Sequence, residues 1–161
     1  MVPFGTDETI CRVVTQYSDM LLHLACTRLD STADAEDAVQ EVFLKLLTAG
    51  LSFRDAEHEK AWLIRATLHR ASDIRRMAER RNVPLDPDRT AGLAAPAPEM
   101  SLLSAVRELP EKYSTVIHLH YYEGYSIKEI ANLLGVPTAT VGTRLARGRE
   151  RLRRLLEEDA E

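Results

Sequence analysis

The chain has 161 residues, 45% hydrophobic and 29% charged, which allows one ordinary domain or two small ones in a soluble globular protein. No apolar run approaches the ~20 residues that span a bilayer, and the first residues lack the basic and apolar regions of a signal peptide. We therefore expect a cytoplasmic protein without membrane insertion. The net charge of −4 excludes a uniformly basic nucleic-acid binder.

Charge is nevertheless clustered along the chain. Residues 60–81 contain seven basic and two acidic side chains, and residues 138–156 contain six and one. Binding to phosphate depends on local clustering rather than on total charge. The two segments therefore predict nucleic-acid contacts, and two solvated helix faces are the alternative explanation.

The first 81 residues predict three helices. Thr6 and Asp7 can cap the first helix, Ser31 the second and Asp55 the third, and Gly50 closes the second. Apolar residues recur three and four positions apart along the first helix, as an amphipathic helix requires. They are Ile10, Val13, Val14, Tyr17, Leu21 and Leu24.

Two cysteines, Cys11 and Cys26, belong to this first helix. Their separation fits no metal-ligand spacing, and pairing Cys26 with His23 supplies only two of the about four ligands that zinc needs. We expect both cysteines to be small core residues. We predict neither a metal site nor a cofactor.

Prolines mark a boundary in the middle of the chain. Four of the seven prolines fall between Pro84 and Pro98, in a stretch without helical period. This composition predicts an extended, semi-stiff linker over 82–99, between a domain at 1–81 and a domain at 100–158. No stretch alternates cleanly at period two, so we predict an all-α protein of two small helical domains.

The second domain predicts four helices. The first covers Leu102–Glu108, and the second covers Glu111–Tyr122 behind Pro110, a residue that suits a helix start. The last two begin near Ser126 and Thr138, with a short turn between them.

This turn has the pattern of a DNA-binding helix-turn-helix. Ser126 and Glu129 have the spacing of a capping box, and Gly135 suits the left-handed backbone that a sharp turn needs. The small side chain of Ala131 allows Val141 of the last helix to pack closely against it. A plain helical hairpin is the alternative.

The last helix combines an apolar stripe, which predicts its buried face, with polar and basic residues opposite. The first of these would enter the major groove, where threonines contact base edges or methyl groups and arginines contact guanine or phosphate. Gly142 lowers the stability of this helix by about 1 kcal/mol relative to alanine. Two alternatives stay open: base contacts are few, or the glycine permits a close approach of the helix backbone to DNA. The predicted DNA-binding residues are Thr138, Ala139, Thr140, Thr143, Arg144, Arg147 and Arg151.

Four blocks, in this order, resemble an extracytoplasmic-function (ECF) sigma factor of RNA polymerase: Asp34–Leu47, Ala61–Arg76, Leu109–Tyr113 and Tyr121–Ala131. The resemblance covers almost the whole chain outside the proline-rich segment. It implies that the first domain is a region 2-like helical bundle and that the second is a region 4-like helix-turn-helix.

The resemblance also implies a function. Family members bind core RNA polymerase, direct it to promoter DNA and have no catalytic centre, and they are commonly held inactive by an anti-sigma factor. A helix-turn-helix regulator that does not melt promoters is the alternative. An enzyme or a helical interaction module is a third class.

Roles for individual residues follow from the resemblance by position. The outer face of the Asp34–Leu47 helix would grip the clamp helices of the polymerase, through Asp37, Gln40 and Glu41. The last helix would read the −35 promoter element. The arginine-rich third helix would bind the −10 element, through Arg65, His69, Arg70, Arg75 and Arg76.

Two aromatic residues bear on this −10 site. Single-strand capture normally needs exposed aromatic side chains and a basic groove. We expect Phe53 to be the free aromatic residue and Trp62 to be a core anchor. Many family members have asparagine where this chain has His69, which leaves open which residue reads the −10 base.

Overall fold

The structure, a computed structural model, describes residues 7–81 and 98–159. Every regular element within these ranges is a helix, which confirms the predicted all-α class. The described residues fall into two compact units, one within Met1–Arg89 and one within Thr90–Glu161. The proposed cap Thr6 and nearly all of the predicted linker lie outside the described residues, so the exact domain limits stay predictions.

The first unit contains three helices that pack against one another: α1 (Asp7–Cys26), α2 (Thr32–Thr48) and α3 (Ala56–Arg81). Two of the predicted caps are confirmed. The Ser31 side chain accepts a hydrogen bond from the Asp34 backbone N–H, and Asp55 Oδ1 accepts one from the His58 N–H at 2.8 Å. These bonds satisfy donors that the helix starts would otherwise leave free.

The apolar stripes of the three helices form one core. Buried positions recur three and four apart on α1 and α2, so each helix turns a single face inward. The largest fully buried side chains of this unit are Val13, Leu21, Leu24, Leu46, Leu63 and Ile64.

Two expectations for this unit, those for Cys11 and Phe53, are wrong. Cys11 is exposed because it lies on the side of α1 away from the apolar stripe, whereas Cys26 is buried as predicted. Val14 lies at the edge of the stripe and is 39% exposed. Phe53 is not free, because it packs against the core and against the Trp62 ring at a centroid distance of 6.0 Å.

An ion pair between an exposed arginine and a buried carboxylate connects α1 to α3. Glu59 is only 6% exposed, and its two carboxylate oxygens accept hydrogen bonds from the Arg12 guanidinium at 3.2 and 3.1 Å. Burial and the nearby Glu59 carboxylate raise the pKa of the Tyr17 phenol. The Arg12 guanidinium therefore offsets the free-energy cost of burying the charged Glu59 carboxylate away from water.

Replacing Arg12 with leucine should lower the free energy of unfolding of this unit by about 1–3 kcal/mol, because the Glu59 carboxylate is left buried without its cationic partner. The only tryptophan, Trp62, lies in this unit, so its fluorescence during urea unfolding measures the effect. The double variant Arg12→Leu/Glu59→Leu should recover part of the loss. A single variant as stable as the wild type would contradict the prediction.

The second unit contains α4 (Pro98–Glu108), α5 (Glu111–Ile117), α6 (Ile127–Leu134) and α7 (Thr138–Asp159). The first of these begins four residues earlier than predicted, at a proline, which is well tolerated in a first helical turn. The predicted helix to Tyr122 is also not uniform. From His118 onward it continues as a wider turn, in which the Glu123 N–H donates to the His118 carbonyl at 3.2 Å.

Close packing between α5 and α7 depends on a glycine. A Cβ atom on Gly148 would lie 3.0 Å from Ile117 Cγ1 and 3.3 Å from Tyr113 Cβ. The absence of a side chain at Gly148 lets the backbone of α7 approach α5. Gly142, in contrast, has nothing within 4 Å of a Cβ placed on it, so no intramolecular contact requires glycine there.

These two glycines make a matched pair for mutation. Gly142→Ala should stabilise α7 by about 0.5–1 kcal/mol, because alanine has the higher helix propensity and meets no neighbour. Gly148→Ala should lower stability by about 1 kcal/mol, because overpacking against Ile117 outweighs the same gain. Amide hydrogen exchange along α7 measures both. Equal effects at the two positions would contradict the packing explanation.

Candidate nucleic-acid interface

The helix-turn-helix is present as predicted. The Ser126 N–H donates to Glu129 Oε1 at 3.0 Å, and the Glu129 N–H donates to Ser126 Oγ at 3.1 Å. The backbone hydrogen bond from Ser126 holds the pKa of Glu129 below its ordinary value. Gly135 has φ of 67°, a left-handed conformation that ends α6 without strain only at glycine. These features fix where α6 stops and α7 starts.

The crossing of α6 and α7 is close and apolar. Ala131 is 7% exposed, and Ile130, Val141 and Leu145 are at most 1% exposed. The small side chain of Ala131 suits a close approach of the two helices. With this side of α7 buried, the opposite side is presented outward.

Seven residues of α7 were predicted to bind DNA, and the structure places them on its outward side. Thr138, Ala139, Thr143, Arg147 and Arg151 are exposed, and Thr140 and Arg144 are half-buried. Most of them line one open surface cavity of about 340 Å³, which we call the α7 groove. From α7 it is lined by Ala139, Thr140, Thr143, Arg144 and Arg147.

Two residues of α5, which were not among the predicted DNA contacts, complete the α7 groove: Lys112 and Tyr113. Burial raises the pKa of the Tyr113 phenol, but hydrogen bonds from Arg147 and Lys112 and the charge of Arg151 outweigh it, so the pKa is lowered. The available signal was a lysine next to a tyrosine in the first turn of α5. The sequence gives no indication that this helix reaches the arginines of α7.

The five predicted −10 residues of α3 divide into two groups. Arg65, His69 and Arg76 are exposed on one face, and Arg76 forms an ion pair with Asp73. Arg70 forms an ion pair with Glu41 of α2. These differences follow from the helix geometry, because residues 65, 69 and 76 share a face at 100° per residue whereas residue 70 does not.

Arg75 is held by the first unit itself. Its Nη1 donates to the Arg28 carbonyl oxygen at 3.4 Å, and its Nε donates to Glu79 at 3.4 Å. Arg28 in turn donates to Ser72 Oγ at 2.6 Å. The Arg75 guanidinium therefore contacts the turn after α1 as well as its own helix.

The outer face of α2 carries the three predicted polymerase-binding residues. Asp37, Gln40 and Glu41 are exposed there. Leu44 lies among them and is 60% exposed, although it was not among the predicted polymerase contacts. An apolar residue out of phase with the buried stripe was the signal that could have identified it.

A second open cavity, of about 500 Å³, lies between this face and α3. We call it the α2–α3 groove; its charged and aromatic lining residues are Glu41, Lys45, Trp62, Arg65, His69, Arg70 and Asp73. Trp62 contacts the core as expected while reaching the wall of this groove. Residues predicted to bind polymerase and residues predicted to bind DNA thus share one surface.

Comparisons with known proteins agree with both units. The first matches the family described as Sigma-70 region 2 over residues 13–81, and the second matches Sigma-70, region 4 over residues 99–152. The ECF RNA polymerase sigma factor SigW of Bacillus subtilis (strain 168) is 30% identical, and the alignment covers 94% of this chain and 91% of SigW.

Two solved structures share the fold. The sigma factor RpoE of Bartonella quintana, in complex with the anti-sigma factor NepR, superposes with a TM-score of 0.72 at 21% identity over 93% of this chain and 98% of RpoE. CnrH, in complex with the cytosolic domain of CnrY, gives a TM-score of 0.67 at 26% identity over 96% and 92%.

The fold, the helix-turn-helix and the two matched regions define a sigma-70-type transcription factor, and the chain belongs to the ECF family of RNA polymerase sigma factors. Its function is therefore promoter-directed initiation of transcription, as the resemblance implied. Within residues 7–81 and 98–159, none of the helices has the length and apolarity needed to span a membrane.

Proposed function

We propose that this chain binds core RNA polymerase through α2 and selects promoters through α3 and α7, leaving catalysis to the polymerase. The observation that carries the proposal is the α7 groove, where two threonines and two arginines converge on the outward side of a helix-turn-helix. The proposed site of action is the cytoplasm, where promoter DNA and polymerase are found.

At the −35 element, the N-terminal part of α7 lies in the major groove. Thr140 and Thr143 contact base edges or thymine methyl groups, and Arg144 and Arg147 bind guanine or backbone phosphate. Arg151, one turn beyond Arg147, contacts phosphate and fixes the register of the helix.

At the −10 element, the exposed face of α3 supplies the contacts. Arg65 and Arg76 neutralise phosphates, and His69 stands beside the α2–α3 groove where a base can be hydrogen-bonded. Arg70 and Arg75 remain predicted DNA contacts, although their guanidinium groups are held by Glu41 and by the Arg28 carbonyl.

Core polymerase binds the outer face of α2. Asp37, Gln40 and Glu41 provide acidic and polar groups that complement a basic or mixed protein surface. Leu44 adds the apolar centre that such an interface uses as an anchor.

Mapping transcription start sites after overexpression tests this proposal in cells. We expect a defined set of new start sites that share two sequence motifs, one at −10 and one at −35. Variants altered in the α7 groove should lose the −35 motif first. New start sites with no shared upstream motif would contradict promoter selection by this chain.

One observation favours the alternative of a DNA-binding regulator that does not melt promoters. Strand capture normally uses exposed aromatic rings, and Phe53 and Trp62 are both half-buried and packed on the core. This alternative predicts intact duplex binding without permanganate-reactive thymines at the −10 element. Reactive thymines in the presence of core polymerase would reject it.

We also propose that a protein partner holds the chain inactive until a signal arrives. Support comes from the similar folds of RpoE, solved with the anti-sigma factor NepR, and CnrH, solved with the cytosolic domain of CnrY. A purified partner should suppress transcription by the reconstituted holoenzyme. Unchanged transcription at saturating partner would argue against inhibition.

A further inference from the structure

We propose that Tyr113 is a positioning residue that holds Arg147, and that Lys112 joins Arg147 in binding one backbone phosphate of promoter DNA beside the recognition helix. The inference deepens the proposed function, because it rests on the DNA-binding role of α7. It adds two residues of α5 to an interface that the sequence placed on α7 alone.

The Tyr113 side chain is fixed by its surroundings. The residue is 4% exposed, and the Lys112 ammonium and the Arg151 guanidinium each lie 5.1 Å from the centroid of its ring. Arg147 lines the α7 groove together with Tyr113 and Lys112, and after burial, which raises the pKa of the Tyr113 phenol, hydrogen bonding from Arg147 is the largest of the causes that lower it. A buried ring with a polar tip among three cations acts as a rigid anchor for them.

Anchoring matters because an exposed arginine has many rotamers. A guanidinium that is already oriented loses less conformational freedom when it binds a phosphate. The Tyr113 hydroxyl supplies that orientation from α5, an element outside the recognition helix. Packing at Gly148, where α7 approaches Tyr113 and Ile117 closely, sets the distance between anchor and arginine.

The α7 groove lacks a compensating negative charge of its own. Of its lining residues, Lys112, Arg144 and Arg147 are basic and none is acidic. Glu150, one turn further along α7, already pairs with Arg153 and Arg154. An anion is therefore the complementary ligand, and the phosphates flanking a bound major groove are the anions that α7 would meet.

The contact of Lys112 with a backbone phosphate should not depend on the DNA sequence. A lysine ammonium is a flexible point charge that neutralises phosphate without reading a base. The contact should therefore strengthen binding to promoter and unrelated duplexes alike, and increase the salt dependence of both.

The test uses the full chain bound to core polymerase, with a labelled promoter duplex taken from the mapped start sites. We expect Lys112→Ala to weaken DNA binding about tenfold. The slope of the logarithm of the binding constant against the logarithm of the salt concentration (the salt slope) should fall in magnitude by about 1. Tyr113→Phe keeps the ring and should weaken binding about three- to tenfold. Tyr113→Phe/Arg147→Ala should be little weaker than Arg147→Ala alone, because the hydroxyl then has only Lys112 left to orient.

Controls separate this inference from the proposed function. Arg153→Ala removes one charge from another side of α7, where it is already paired, and should change binding less than Lys112→Ala does. Additive effects of Tyr113→Phe and Arg147→Ala, or equal effects of Lys112→Ala and Arg153→Ala, would overturn the inference alone. Unchanged binding by Arg147→Ala would instead refute the DNA-binding role of α7.

Discussion

Replacing Arg144 and Arg147 together with alanine should reduce promoter binding by about 100-fold and abolish transcription from the chain's own promoters. Both guanidinium groups line the α7 groove, and each is expected to contribute a base or phosphate contact. Loss of two phosphate contacts also reduces the salt slope by about 2. The reduced slope distinguishes lost contacts from general damage to the fold.

The structure offers a control with the same change in charge. Arg149 and Arg153 lie on the same helix, away from the α7 groove, and contact Tyr121 and Glu150 respectively. Arg149→Ala/Arg153→Ala should retain most promoter activity. Equal losses in the two double variants would show that the charge of α7 matters and that the groove does not.

Replacing Leu44 with glutamate should weaken binding to core polymerase by about 30-fold or more, the effect typical of an apolar anchor at the centre of an interface. Leu44 is 60% exposed, so the free energy of unfolding should change by no more than about 0.5 kcal/mol. Glu41 is a less informative site for mutation, because its ion pair with Arg70 couples the polymerase-binding face to the predicted DNA-binding face.

Competition against a labelled sigma factor for core polymerase measures this effect. Val14→Glu is the matched control, because Val14 is an exposed apolar residue of the same unit but lies on α1. It should leave polymerase binding unchanged. Tight binding by Leu44→Glu would mean that the outer face of α2 is not the docking surface.

Local rules predicted the parts of the fold that depend on neighbouring residues. The caps at Ser31, Asp55 and Ser126 and the left-handed turn at Gly135 were all correct, because each depends on bonds within four residues. The wider turn at His118–Tyr122 was not foreseen. Over so short a segment, the spacing of apolar residues is the same whether backbone hydrogen bonds join residues four or five positions apart.

Contacts between helices were predicted less well. The Glu41–Arg70 pair and the reach of Tyr113 to Arg147 depend on how the two helices of each pair are rotated against each other. An apolar stripe defines the buried face of a helix only to within about one residue. Long polar side chains at the edge of that face can therefore reach a neighbouring helix that the pattern does not indicate. The sequence thus indicated the outward side of α7 but not the two residues of α5 that line the same groove.

Run-off transcription with purified core polymerase is the most direct test of sigma function. We expect the chain to direct initiation at a promoter identified by start-site mapping, with a transcript of the mapped length and none from core polymerase alone. Duplex binding by the chain without any such transcript would contradict the sigma assignment and leave a DNA-binding regulator in its place.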